Sequence, residues 1–362
     1  MNPLPEIIRR EIAQRGVLPF VRFMELALYC PKHGYYETKK DNPGRHGDFY
    51  TSVGVGEVFG QLLAWQFAGW LEAEIPGPGV KVQIVEAGAH DGRLAGDILS
   101  WLQTHRPELF GQMDYWIIEP SILRQSWQRE RLRNFDPRVH WLSRFDDSRM
   151  QGFNGVFFSN ELLDAMPVHR FGWDAAKQTW FEWGVAAETG KFIWARIPNP
   201  ELPSSVLHLP PSLLDALPDG YIIEACPAAE NWWREAAGVL ERGKLMTIDY
   251  GLTAGELISP ERPRGTLRAY FQHHVVDEVL RNVGEQDITA HVNFSAIQSA
   301  GESAGLKTES FQTQSQFLTE ILSNALKAGS SGEWTPARTR QFQTLTHPEH
   351  LGMAFRVLVQ SR

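Results

Sequence analysis

Two short stretches hold residues whose types and spacing could do chemistry. In VQIVEAGAHDGRLAGDIL, residues 82–99, an apolar run ends in Glu86, Gly88 and Gly92 punctuate a turn, and a helical pattern follows. Open α/β sheets bind ligands at such a turn, at the carboxyl end of a strand, and the helix after it aims its amide-rich N-terminus at the same space. The dinucleotide fingerprint needs G-x-G-x-x-G and a phosphate loop needs a lysine; this stretch has neither. It suits a cofactor without phosphate. S-adenosylmethionine is one: its amino-acid tail needs backbone and polar groups, and its ribose diol needs an acid. Glu119, closing DYWIIEPS, stands where that acid would stand, although further along than the ~20 residues usual in dinucleotide folds. Both glycines could equally make a tight turn beside a solvated strand end. His90 occupies a position that often holds another glycine. A negative φ there makes glycine dispensable, and a positive one costs histidine more than glycine.

The second stretch is SNELLDAMPV, residues 159–168, after the apolar run GVFF. A helix starting near Asn160 places Glu161 and Asp164 three apart on one face. Two carboxylates beside a cofactor cleft could grip a guanidinium, whose planar fork matches carboxylate oxygens in bidentate pairs. They would sharpen one nitrogen as a nucleophile and help carry off its proton. The plainer alternative is Asn160 as helix N-cap, with acids complementing the helix dipole.

The elements that must position these residues alternate along the chain. VQIVEAG leads to LAGDILSWLQTH, and DYWIIEPS to ILRQSWQRERL; a short strand over 139–142 and the strand GVFFSN follow. This rhythm implies right-handed crossovers and a doubly wound, mostly parallel sheet. Residues 1–75 read as an N-terminal helical region with a loop from Pro31 to Val55. The core runs over 76–362, with a β-rich insertion at about 168–220 and an irregular one at about 251–290. KLMTIDYG, a helix through FSAIQSAGESAG, and the closing strands LKTESFQ and MAFRVLVQ complete it.

Composition narrows the function. The 362 residues are 43% hydrophobic and 22% charged with net charge -8, so no basic field draws nucleic acid. Two cysteines exclude a disulfide framework, and no apolar run approaches the ~20 residues of a membrane helix. The N-terminal segment is amphipathic and carries Glu6 and Glu11, against both a secretory signal and a mitochondrial presequence, so a cytoplasmic protein is expected. His273, His274 and His291 lack the spacing of metal ligands, and no metal is expected. There is no nucleophile elbow, which argues against a hydrolase.

Five ordered blocks carry a family resemblance. GYYETK (34–39) with GDFYTSVGVGEVFGQLLA (47–64), SNELLDAMPV, LMTIDYG (245–251), RGTLRAY (264–270) and GEQDITAHVNFSAI (284–297) resemble the MidA family of S-adenosylmethionine-dependent methyltransferases. That family includes the mitochondrial complex I assembly factor that dimethylates an arginine of a core subunit. The resemblance implies an α/β, Rossmann-like methyltransferase sheet of seven strands, its last hairpin antiparallel, and S-adenosylmethionine as cofactor. Glu86, Gly88 and Gly92 would form the cofactor turn, Glu119 would hold the ribose, and Asp48 and Thr51 would fold over the cofactor. Asn160, Glu161 and Asp164 would face a protein substrate, a respiratory complex I subunit by family analogy. EAGAHDG is poorer in glycine than the family's E-x-G-x-G-x-G. The competing reading is a catalytically weak or inactive assembly protein built on the same fold. Oligomeric state is left open.

Overall fold

Val82–Ala87 (β1), Met113–Ile118 (β2) and Phe153–Asn160 (β4) are buried at nearly every position, as central parallel strands must be, whereas a half-exposed strand would alternate. With Val139–Leu142 (β3), Leu240–Leu252 (β5), Lys307–Thr313 (β6) and Phe355–Ser361 (β7) they form one sheet among the described residues. Seven strands run in the order β3-β2-β1-β4-β5-β7-β6. β1 is parallel to β2 and β4, and β4 to β5, while β7 is antiparallel to both β5 and β6. The α/β reading holds as a mixed sheet with helices.

The structure, a computed structural model, describes residues 2–38, 51–74, 82–145, 152–207, 209–272, 274–329 and 333–362. The chain divides into two units. One comprises Pro43–Leu162, Trp232–Gly251 and Gln298–Arg362; the other comprises Met1–Asn42, Leu163–Asn231 and Leu252–Ile297. The helix Val58–Glu74 (α1) belongs to the unit that holds the sheet.

In the sheet unit, α1 and Arg93–His105 (α2) bury Phe59, Leu63, Phe67, Leu94, Ile98 and Leu102 in one cluster with Ile84, Ile117 and Phe158 of the strands. Each such side chain contributes ~1.5–3 kcal/mol through loss of apolar area from water. Ile122–Leu132 (α3) follows β2, started by Ser121, whose hydroxyl accepts from the Arg124 N–H.

The other unit joins the helices Leu4–Arg15 and Phe20–Tyr29 to a five-stranded antiparallel sheet, with His169–Asp174, Thr179–Glu188 and Lys191–Pro198 as its longer strands. The stretch expected to be irregular, 251–290, instead contains Arg268–Phe271, His274–Val276 and Asp287–Thr289 as a three-stranded sheet. Strands of three and four residues are too short to show an alternating pattern in sequence. Among the described residues, no helix is long and apolar enough to cross a membrane.

Candidate active site

Register brings the first group of residues to one edge. Ala87 pairs with Ile118 on one side and Ser159 on the other, so Gly88, Glu119 and Asn160 occupy the next step on three neighbouring parallel strands. That edge is the carboxyl end of the sheet. Gly88 has φ +76, and a Cβ there would come within 2.9 Å of Leu162 Cδ1, so the chain passes through a conformation and a space that only glycine fits easily. Gly92, at φ +81, caps α2 in the left-handed region. His90 also has positive φ, at +46. It therefore pays the left-handed cost, and its ring lies near Trp127 at 6.2 Å between centroids.

Glu119 is 2% exposed, yet its carboxylate is held by several donors. Ser121 N–H donates to Oε1 at 3.0 Å and Gln128 Nε2 to Oε2 at 3.1 Å, while Gln125 Nε2 donates to the Glu119 carbonyl at 2.8 Å. The two donors on the carboxylate oxygens fix its plane. Glu86, also 2% exposed, accepts a 2.7 Å hydrogen bond from the Tyr115 hydroxyl. Burial pushes its pKa up to about 8, outweighing the lowering effect of Tyr115, with Asp91 and Asp97 adding to the rise. Burial likewise lifts Asp97 to about 6. Thr51 Oγ1 accepts from Gly54 N–H at 2.9 Å, capping the short helix Ser52–Val55. Asp48 lies outside the described residues.

The expected helix at Asn160 is not formed. Asn160 ends β4, and Glu161 takes φ +51, which no right-handed helix accommodates. Two long-range bonds enforce this. Glu161 N–H donates to the Ile248 carbonyl at 3.0 Å, and Leu162 N–H to Asp249 Oδ2 at 3.1 Å. The N-cap reading and the shared helix face both fall with the helix. Asn160 Nδ2 instead donates to Glu161 Oε1 at 3.0 Å, and its buried Oδ1 has no hydrogen-bond partner among the described residues.

Asp164 belongs to the other unit, where its carbonyl accepts from Ala290 N–H at 2.9 Å. In that unit Tyr36 stacks on Tyr29 at 5.5 Å. Burial first, then Asp287, Tyr29 and Asp164, hold the Tyr36 hydroxyl well above its ordinary pKa. Asp164 and Asp287 are 7% and 0% exposed, so two buried carboxylates share this tyrosine-rich neighbourhood. Reading single residues missed Tyr36, Asp287, Tyr115 and Gln128; the first two stand inside blocks that carry the family resemblance. His291 is kept neutral, its pKa lowered to about 4 by burial and then by Arg268 and Arg262.

A family model of S-adenosyl-L-methionine-dependent methyltransferases matches residues 62–312. The chain belongs to this family. Over its whole length it is similar to a COG1565 superfamily member from Burkholderia thailandensis whose crystal structure holds S-adenosyl-homocysteine. That protein is 32% identical, with TM-score 0.85 over 99% of this chain and 92% of the other. A second structure of a COG1565 protein from the same organism gives TM-score 0.81 at 30% identity, covering 99% and 91% of the two chains. A Drosophila melanogaster relative named protein arginine methyltransferase NDUFAF7 homolog, mitochondrial, is 26% identical over 98% of this chain and 84% of its own. Human NDUFAF7, with the same activity in its name, is 26% identical over 82% of this chain and 69% of its own.

The resemblance read from the separated motifs holds, and S-adenosylmethionine is the cofactor. The residues present fit it: a turn at Gly88 where a Cβ would crowd Leu162, and a buried carboxylate at Glu119. The relatives' mitochondrial names overturn the cytoplasmic expectation. The acids Glu6 and Glu11 on which it leaned belong to the helix Leu4–Arg15, whose Leu4, Ile8 and Ile12 are buried.

Proposed function

We propose that this methyltransferase modifies an arginine of a protein substrate, as the names of its NDUFAF7 relatives suggest. The observation that carries the reading is the turn at Asn160 and Glu161. A carboxylate and an orphaned amide oxygen stand together on the strand end beside Gly88, both acceptors and both buried or partly buried. Paired acceptors suit a group with several N–H donors and a positive charge, which describes a guanidinium.

In this reading the cofactor supplies an electrophilic methyl group, and Glu86, Gly88, Gly92, Glu119 and Thr51 bind it. Glu161 orients the guanidinium and draws charge toward the nitrogens that are not attacked. Asn160 fixes the Glu161 carboxylate. Asp164, with Asp287 and Tyr36 in its own unit, receives a cationic side chain of the substrate protein. A respiratory complex I subunit is the substrate that the family resemblance favours.

The test is product chemistry. Purified protein, a methyl-labelled donor and an extract of cells lacking this protein should give labelled polypeptide whose acid hydrolysate contains N-methylated arginine. Label recovered in methyl-lysine, or only in a small molecule, would overturn the arginine reading.

A further inference from the structure

Gln128 lies on α3, in the run QSWQRERLR, where a polar residue reads as part of a solvated helix face. It is instead fully buried. Its Nε2 donates to Glu119 Oε2 at 3.1 Å and to the His90 carbonyl at 3.0 Å. Its Oε1 accepts from Trp141 Nε1 at 2.9 Å. Both of its N–H donors and its carbonyl oxygen thus engage three named groups in three different segments: the glycine turn, the end of β2 and β3.

The orientation of this amide is dictated. Trp141 can only donate, so it must meet Oε1; a flipped amide would set that oxygen against two acceptors and leave the indole N–H facing an NH2 group. Trp141 is itself pinned, with the Arg129 guanidinium 4.0 Å over its ring. The helix packs directly on the glycine turn: a Cβ at Gly92 would lie 3.4 Å from Gln128 Cα, in van der Waals contact.

We infer that Gln128 is a positioning residue for the cofactor ribose, holding the Glu119 carboxylate and the His90 turn in one fixed relation, with Trp141 locking its amide. The inference rests on the reading of Glu119 as the ribose acid. Gln128 touches neither reacting atoms nor, in this scheme, the cofactor. Its effect is transmitted through Glu119, so it should show in recognition of the ribose hydroxyls rather than in binding generally.

The experiment is calorimetric titration of the full chain with S-adenosylhomocysteine and with its 2′,3′-dideoxyribose analogue, taking the ratio of the two Kd values. The wild-type protein should favour the hydroxylated ligand by about 100-fold, since an acceptor built for hydroxyls loses them in the analogue. Gln128→Met should shrink that ratio to about tenfold, mostly by weakening the hydroxylated ligand. Trp141→Phe, which frees the amide to flip while leaving Gln128 in place, should fall between the two and guards against misfolding of the first variant. A merely structural role would weaken both ligands equally and leave the ratio unchanged. An unchanged ratio in folded Gln128→Met or Trp141→Phe therefore overturns the inference. An unchanged ratio in Glu119→Gln would instead remove Glu119 from ribose binding, so the two failures are distinct.

Discussion

Glu161→Gln is expected to bind S-adenosylhomocysteine within about threefold of wild type and to transfer methyl groups roughly 10²–10⁴-fold more slowly. The substitution is nearly isosteric. A glutamine can accept the 3.0 Å hydrogen bond from Asn160 and tolerates the φ of +51 as well as glutamate does, so the turn should survive. The negative charge that would hold a guanidinium and polarise it is lost. A misplacement of the acceptor nitrogen by about 1 Å is enough for a ~100-fold loss, and loss of help with its proton adds to that. Thermal melting should stay within about 2 °C of wild type, which separates this outcome from unfolding. Single-turnover transfer at saturating cofactor is the measurement. An unchanged rate would take Glu161 out of the reaction.

Glu86→Gln should abolish a pH dependence of stability that the wild-type protein shows. Burial raises the Glu86 pKa to about 8, from an ordinary 4.5, so the folded protein keeps a proton that the unfolded chain has lost across that interval. Stability conferred by this group is whole below about pH 4.5 and falls as pH rises toward about 8, by ~1.4 kcal/mol per unit. Between about pH 5 and about pH 8 the wild type should lose on the order of 4 kcal/mol relative to Glu86→Gln. The glutamine oxygen can still accept from Tyr115. Urea midpoints of the two proteins should converge at the acid end and separate at the basic end. Parallel midpoint curves would show that Glu86 is ionised in the fold.

Much of this arrangement was legible in sequence because it is local. A continuous apolar run closed by Glu86 and Gly88 announces a buried strand and its turn, and Glu119 ends the next such run for the same reason. The parallel register that aligns Gly88, Glu119 and Asn160 follows from two crossovers of ordinary kind. What escaped depends on contacts far apart in the chain. ELLDAM has the composition of a helix start, but Asp249, 87 residues beyond Leu162, takes the Leu162 N–H and turns the backbone aside. Gln128 has the neighbours of a surface residue, and only the arrival of Trp141 and the His90 carbonyl makes it a buried tie. Asp164 and Asp287 meet around Tyr36 from blocks that no spacing rule connects.

The central claim is that the carboxyl edge of β1, β2 and β4 is the S-adenosylmethionine site, with Glu119 holding the ribose. Titration of wild type and Glu119→Gln with S-adenosylhomocysteine tests it most directly. Loss of about 10–100-fold in affinity with the fold intact is the predicted result, the cost of weakening charge-assisted hydrogen bonds to the two hydroxyls. Equal affinity, within about threefold, would contradict it and take Glu119 out of ribose binding.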